Sequence, residues 1–126
     1  MFLSLAFAKF RLMVILDDLQ RLRSCVDTLD EQVLTLLLQR FAYVREIASI
    51  KRCSGQEVYD PKREQEILLR IRRLAEKSGK VSEGVCEALV RIFSEIILLS
   101  RRHQETSLGG NTAAASLAIK GEDHAH

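Results

Sequence analysis

The chain has 126 residues, enough for one domain around one core and too few for two. Hydrophobic residues make up 47% and charged residues 29%, an ordinary balance for a water-soluble globular protein. A net charge of +2, with Lys and Arg interleaved among Asp and Glu, is too small and too dispersed to argue for a nucleic-acid partner.

One proline, six glycines and almost no alternation of apolar and polar residues point to an all-α fold. Cys25, Cys53 and Cys86 share no metal-ligand spacing. Their odd number fits a reducing, cytoplasmic compartment, with all three as buried or half-buried small hydrophobes. The first 15 residues, MFLSLAFAKFRLMVI, are apolar but interrupted by Lys9 and Arg11. They lack a basic start and a small-residue cleavage site, so they make a poor secretory signal. They are also too short and too charged to span a bilayer. Residues 1–15 are therefore set apart as an extension of uncertain structure, with Met13 as an alternative start, and the domain proper covers 16–106.

Three helices are expected. From residue 16 to about 53 no Pro or Gly occurs, and Leu19, Leu22, Val26, Leu29, Val33, Leu36, Leu37, Val44, Ile47 and Ile50 follow a stripe of threes and fours. Such a helix is roughly 55 Å long. It must lay its stripe on something, and two shorter helices cover only part of it. Ser54-Gly55 breaks it. Asp60-Pro61 then reads as a capped start. The second helix runs to Ser78-Gly79, with Ile67, Leu68, Ile71 and Leu74 as its buried stripe and Lys77 near its negative end. The third runs from about residue 82 to 105, carrying Val85, Leu89, Ile92, Phe93, Ile96, Ile97 and Leu99. Residues 107–126 are small, polar and glycine-containing and are expected to be disordered, with His124 and His126 solvated.

The informative residues break the stripes. Counting back from Ile67 and Leu68 lands on Glu64, a carboxylate at the start of a buried face. Arg40 continues the first stripe where Leu or Val belongs. Lys51 lies eleven residues later, within about 20° of Arg40 around an ideal helix and roughly 16 Å along it. Ser100 and Gln104, spaced i, i+4, extend the face of Phe93, Ile96 and Ile97. Buried ion pairs or side chains snorkelling at helix ends could account for any one of these. As a set, two or three cations face one inward carboxylate, and buried charge is costly unless paired, so an anionic ligand is the simplest partner. No nucleophile–base pair, glycine-rich phosphate loop or metal-ligand cluster occurs, and His103 has no evident acid partner. The set suits non-covalent chemistry without a cofactor or metal: binding carboxylates, holding a substrate shape and donating to an oxygen that gains charge.

The stretches LDEQVLTLLLQR (29–40), IKRCSGQEVYDPKREQEIL (50–68) and IFSEIILLSRRHQ (92–104) resemble the all-helical, type II chorismate mutases of the AroQ class. The likeness covers about two thirds of the chain, and V-Y-D-P-x-R-E is its most specific part. Arg23, Arg40, Lys51, Asp60, Arg63, Glu64, Ser100 and Gln104 all stand where that family keeps its pocket. The resemblance implies rearrangement of chorismate to prephenate, a step of aromatic amino acid biosynthesis. In the implied roles, the arginines and Ser100 hold the two carboxylates, and Lys51 and Gln104 donate to the ether oxygen. Glu64, with the backbone around Asp60, takes the ring hydroxyl.

Arg23 lies 28 residues before Lys51, roughly 42 Å along one helix and about 80° around it, so it can serve only a partner's site. With the uncovered stripe, this implies an intertwined helical homodimer with Arg23 contributed across it. Two other readings remain: an isochorismate pyruvate lyase on the same scaffold, and a catalytically weak helical regulatory module that needs a partner enzyme.

Overall fold

The computed structural model describes the backbone of residues 2–119 and the side chains of residues 4–106. Within that range the chain is all-helical: α1 spans Phe2–Cys53, α2 Pro61–Lys77 and α3 Glu83–Ile119. None of these helices, among the described residues, is long and apolar enough to cross a membrane.

The helix ends follow local backbone chemistry. α1 closes in a Schellman arrangement: Gln56 N–H donates to the Lys51 carbonyl at 2.8 Å and Gly55 N–H to Arg52 at 3.2 Å. Gly55 has φ +71°, a left-handed conformation that a side chain would strain. α2 starts with Asp60 as its cap and Pro61 as its first residue, and it stops at Ser78 before Gly79, which has φ +63°. α3 starts after Ser82, whose carbonyl accepts from Cys86 N–H at 3.0 Å.

Two helices extend beyond their expected limits. α1 is helical from Phe2, through the extension that the stripe left open. Neither Gly nor Pro occurs before Gly55, so nothing in that run interrupts the backbone ladder. α3 passes its expected end near residue 105 and continues to Ile119. There Ala113, Ala114, Ala115 and Leu117 favour a helix, against about 1 kcal/mol each for Gly109 and Gly110. The rest of the segment expected to be disordered, residues 120–126, lies outside the described range, as do His124 and His126.

The chain divides within α1 into two compact units, Met1–Ala42 and Tyr43–His126. The first contains one helix and cannot bury a stripe on itself. Leu19, Leu22, Val26, Leu29, Val33 and Leu36 are all exposed in it.

The second unit holds the end of α1 with α2 and α3, which pack side by side as a helical hairpin. Its core is Ala48, Cys86 and Ile97, with Ser100 buried beside them. From α2, Ile67, Leu68, Ile71 and Ala75 are half-buried, while Leu74 is exposed. The centre of that face runs through Glu64 and Ala75, eleven residues apart, and Leu74 points about 80° away from it. On α3 the inward line is Cys86, Ile97 and Ser100, which are buried, with the half-buried Phe93 between them, and Val85, Ile92 and Leu99 form an exposed line at heptad spacing. Cys86 is buried as expected, but Cys25 and Cys53 are exposed in the single chain.

Candidate active site

The site-forming part of the second unit begins at the loop between α1 and α2. Asp60 caps α2, its Oδ1 accepting from Arg63 N–H at 3.0 Å. The same carboxylate lies 3.6 Å from Lys51 Nζ in the last turn of α1. The loop 54–60 thus folds back so that one aspartate serves two elements. The Arg63 N–H, and after it the Lys51 charge, hold the Asp60 carboxyl below its ordinary range.

One turn into α2, Glu64 faces α3. Arg101 grips it with a fork, Nε donating to Oε1 at 3.2 Å and Nη2 to Oε2 at 2.5 Å. The guanidinium also lies over the Tyr59 ring, 4.4 Å from its centroid. Glu64 accordingly holds the Arg101 proton more tightly than usual. On the same stretch of α3, Gln104 Nε2 donates to the Val44 carbonyl of α1 at 3.1 Å. Val44 precedes Lys51 by two turns on nearly the same face of α1. Ser100 is buried, with its hydroxyl donating to the Ile96 carbonyl at 2.8 Å.

The second unit thus holds Lys51, Asp60, Arg63, Glu64, Ser100 and Gln104. It joins Lys51 to Asp60 directly and aims Glu64 and Gln104 across element boundaries. Arg63 is exposed and turned to Glu66 at 3.3 Å along its own helix, away from Glu64. Arg23 and Arg40 belong to the first unit. Arg23 is exposed there, and Arg40 is half-buried, its pKa lowered by that burial.

This geometry changes the charge balance drawn from the sequence. Lys51 has Asp60, and Glu64 has Arg101, a residue that the stripe argument passed over. The signal was present: Arg101 follows Ile97 by four residues and precedes Gln104 by three, the same spacing that singled out Ser100. Arg63 has Glu66 as well, so each of these three second-unit cations already has a protein carboxylate beside it. An anion must compete with carboxylates already in place, so charge surplus alone no longer argues for one.

What remains is a set of oriented donors and acceptors. The Gln104 amide has two N–H groups and uses one on Val44; the Glu64 carboxylate has about four acceptor positions, and the fork occupies two. Among the described residues no group of three or more His, Cys, Asp or Glu side chains is placed to hold a metal ion. A shallow depression on the first unit, lined by Phe7, Arg11, Leu12 and Ile15 among others, is surface relief of one helix.

Fold and side chains together define an all-helical protein whose second unit carries a cluster of ion pairs and oriented hydrogen bonds between its helices. More particularly, the chain belongs to the chorismate mutase type II family, which it matches over residues 22–105, a stretch that contains the eight positions expected for the site, from Arg23 to Gln104. It is similar to a bifunctional chorismate mutase/prephenate dehydratase of Aquifex aeolicus, 38% identical over 84 residues that cover 65% of this chain and 22% of that protein. A T-protein of Haemophilus influenzae is 33% identical over 81 residues, covering 64% of this chain and 21% of its own length. A chorismate mutase of Methanocaldococcus jannaschii is 31% identical over 80 residues, covering 64% of this chain and 80% of that protein. The chain thus spans about a fifth of the first two relatives and four fifths of the third. No solved structure matches it.

Proposed function

We propose that this chain is a chorismate mutase, an isomerase that converts chorismate to prephenate in aromatic amino acid biosynthesis. The carrying observation is the family match over residues 22–105, a range that includes all eight residues assigned to the site in this reading. The reaction is unimolecular: a C–O ether bond breaks as a C–C bond forms within one dianionic substrate. No proton or group has to be carried by the protein.

In this reading Lys51 and Gln104 donate to the ether oxygen as it gains negative charge. Lys51 does so by leaving Asp60, 3.6 Å away, and Gln104 by its second amide N–H or by releasing Val44. The 3.6 Å spacing exceeds normal hydrogen-bond length, so the lysine leaves an ion pair and no well-formed hydrogen bond when it turns to substrate. Arg23, Arg40, Arg63 and Ser100 hold the two carboxylates. Arg63 reaches one by leaving Glu66, an exposed pair within one helix that is easily broken. Glu64 accepts from the ring hydroxyl. Donors fixed before the reaction and aimed at developing charge are typically worth about 3–4 kcal/mol each, and holding the reactive substrate shape adds to them.

The working form is an intertwined homodimer, with Arg23 of one copy serving the site of the other. The exposed apolar stripe of the first unit, from Leu19 to Leu36, supports this reading, because a second copy is the simplest cover for it. Mixing inactive Arg23→Ala chains with inactive Lys51→Ala chains is expected to restore about one working site per heterodimer. No recovery after verified subunit exchange would remove shared sites from the proposal.

Purified protein should convert chorismate to prephenate and leave isochorismate untouched. Release of pyruvate and salicylate from isochorismate, with no prephenate from chorismate, would assign a lyase instead.

A further inference from the structure

We infer that Arg101 is a positioning residue for this reaction, orienting the Glu64 carboxylate toward the substrate's ring hydroxyl; the inference rests on the function proposed above. Three observations carry it. The contact is a two-point fork, so it sets the plane of the carboxylate as well as its distance from α3. Both side chains are less than a third exposed, 31% for Arg101 and 24% for Glu64, so solvent competes weakly for either. And Tyr59 stacks on the guanidinium, which restricts the arginine from a second side.

Arg101 thereby ties Tyr59 and Glu64, on either side of the start of α2, to a stretch of α3 that also carries Ser100 and Gln104. The fork occupies one acceptor position on each Glu64 oxygen and leaves the others for a hydroxyl donor. Without Arg101, the flexible Glu64 side chain has no fixed partner and turns toward water. A hydroxyl acceptor displaced by about 1 Å can cost on the order of 100-fold in rate.

A brace that merely fastens α2 to α3 would give the same coordinates. The two roles separate kinetically. kcat and KM are measured for the native chain, Arg101→Met, Arg101→Lys, Glu64→Gln and the double variant Arg101→Met/Glu64→Gln. Chorismate and an analogue lacking the ring hydroxyl are the substrates, and folded fraction is monitored by circular dichroism. On chorismate, Arg101→Met is expected to lose about 10- to 100-fold in kcat/KM. Arg101→Lys recovers part of that, because it restores the charge without the fork. The double variant falls within about twofold of Glu64→Gln alone, since both changes act through one carboxylate. On the analogue the Arg101→Met loss shrinks to within about twofold, because no hydroxyl remains to be oriented.

Full additivity of the two substitutions, or an equal loss on both substrates, overturns the positioning role. If Arg101→Met fails to fold, Arg101→Lys compared on the two substrates decides in the same way. Native turnover of chorismate with Arg101→Met unchanged removes this inference alone. Absence of native turnover removes the proposed function, and this inference with it.

Discussion

Two arginine–carboxylate clusters join α2 to α3, one at each end of the hairpin. Near the connecting turn, Arg72 of α2 bonds Glu76 at 3.1 Å and Glu83 in the first turn of α3. At the other end, Arg101 of α3 holds Glu64 of α2. The functional groups are the same, and both arginines hold their proton more tightly because of them, Arg72 chiefly through Glu83 and Arg101 chiefly through Glu64. Their surroundings differ. The carboxylates at the turn are exposed, Glu83 at 63%, and the cluster faces water. The far pair is mostly enclosed, lies against Tyr59 and neighbours the residues assigned to substrate. An ion pair's chemistry thus says little about its task until its enclosure and neighbours are known.

The largest expected effect lies at the enclosed end. Lys51→Met should lower kcat/KM for chorismate about 100- to 1000-fold, measured in steady-state kinetics, with its melting temperature little changed. A loss below tenfold would mean that Lys51 is occupied with Asp60 and no donor to the ether oxygen. Next, Gln104→Glu should be nearly inactive at pH 8, where an ionised carboxylate cannot donate. Its activity should rise as pH falls toward about 4.3 and the carboxyl takes up a proton. Full activity at pH 8 would remove the donor role.

Smaller effects concern stability. Asp60 has its pKa lowered on folding, so its stabilisation is fully present above the unfolded value of about 3.9 and is lost as pH falls through the lower folded value. Asp60→Asn keeps a capping oxygen without the charge. The native chain should have the higher urea midpoint from pH 7 down to pH 5, and the difference should narrow toward pH 3 and below. A gap that stays constant with pH would assign it to packing. The smallest effect belongs to Arg72→Met. Its activity should stay within about twofold of native, and any fall in melting temperature should vanish by about 0.5 M salt, where exposed charges are screened. A large activity loss there would erase the distinction between the two ends of the hairpin.

Parts of this arrangement can be read from the residues alone. Asp60-Pro61 announces a capped start and Ser78-Gly79 a stop, and both are found. Glu64 lies inward, as its spacing from Ile67 and Leu68 implies. Arg101 was passed over although it lies on the same face as Ser100 and Gln104, because a long cation at a helix edge usually extends into water. The apolar pattern alone admits Leu74 to the stripe, whereas the half-buried face centres on Glu64 and Ala75 and leaves Leu74 exposed about 80° away. The resemblance places Arg63 in the pocket, and its exposed side chain pairs with Glu66 at 3.3 Å, a contact that the apolar pattern does not announce.

By itself the sequence determined where the helices near the site end, since caps, glycine stops and the Pro61 start act between residues a few positions apart. It also determined which faces are apolar, through a period set by helix geometry. Tertiary structure decided the partners: Lys51 with Asp60, Glu64 with Arg101 across 37 positions, and Gln104 with Val44 across 60. The reason is physical. A cap is satisfied within one turn of backbone, whereas a side chain's partner in another element depends on how the helices dock, and many registers share the same apolar pattern.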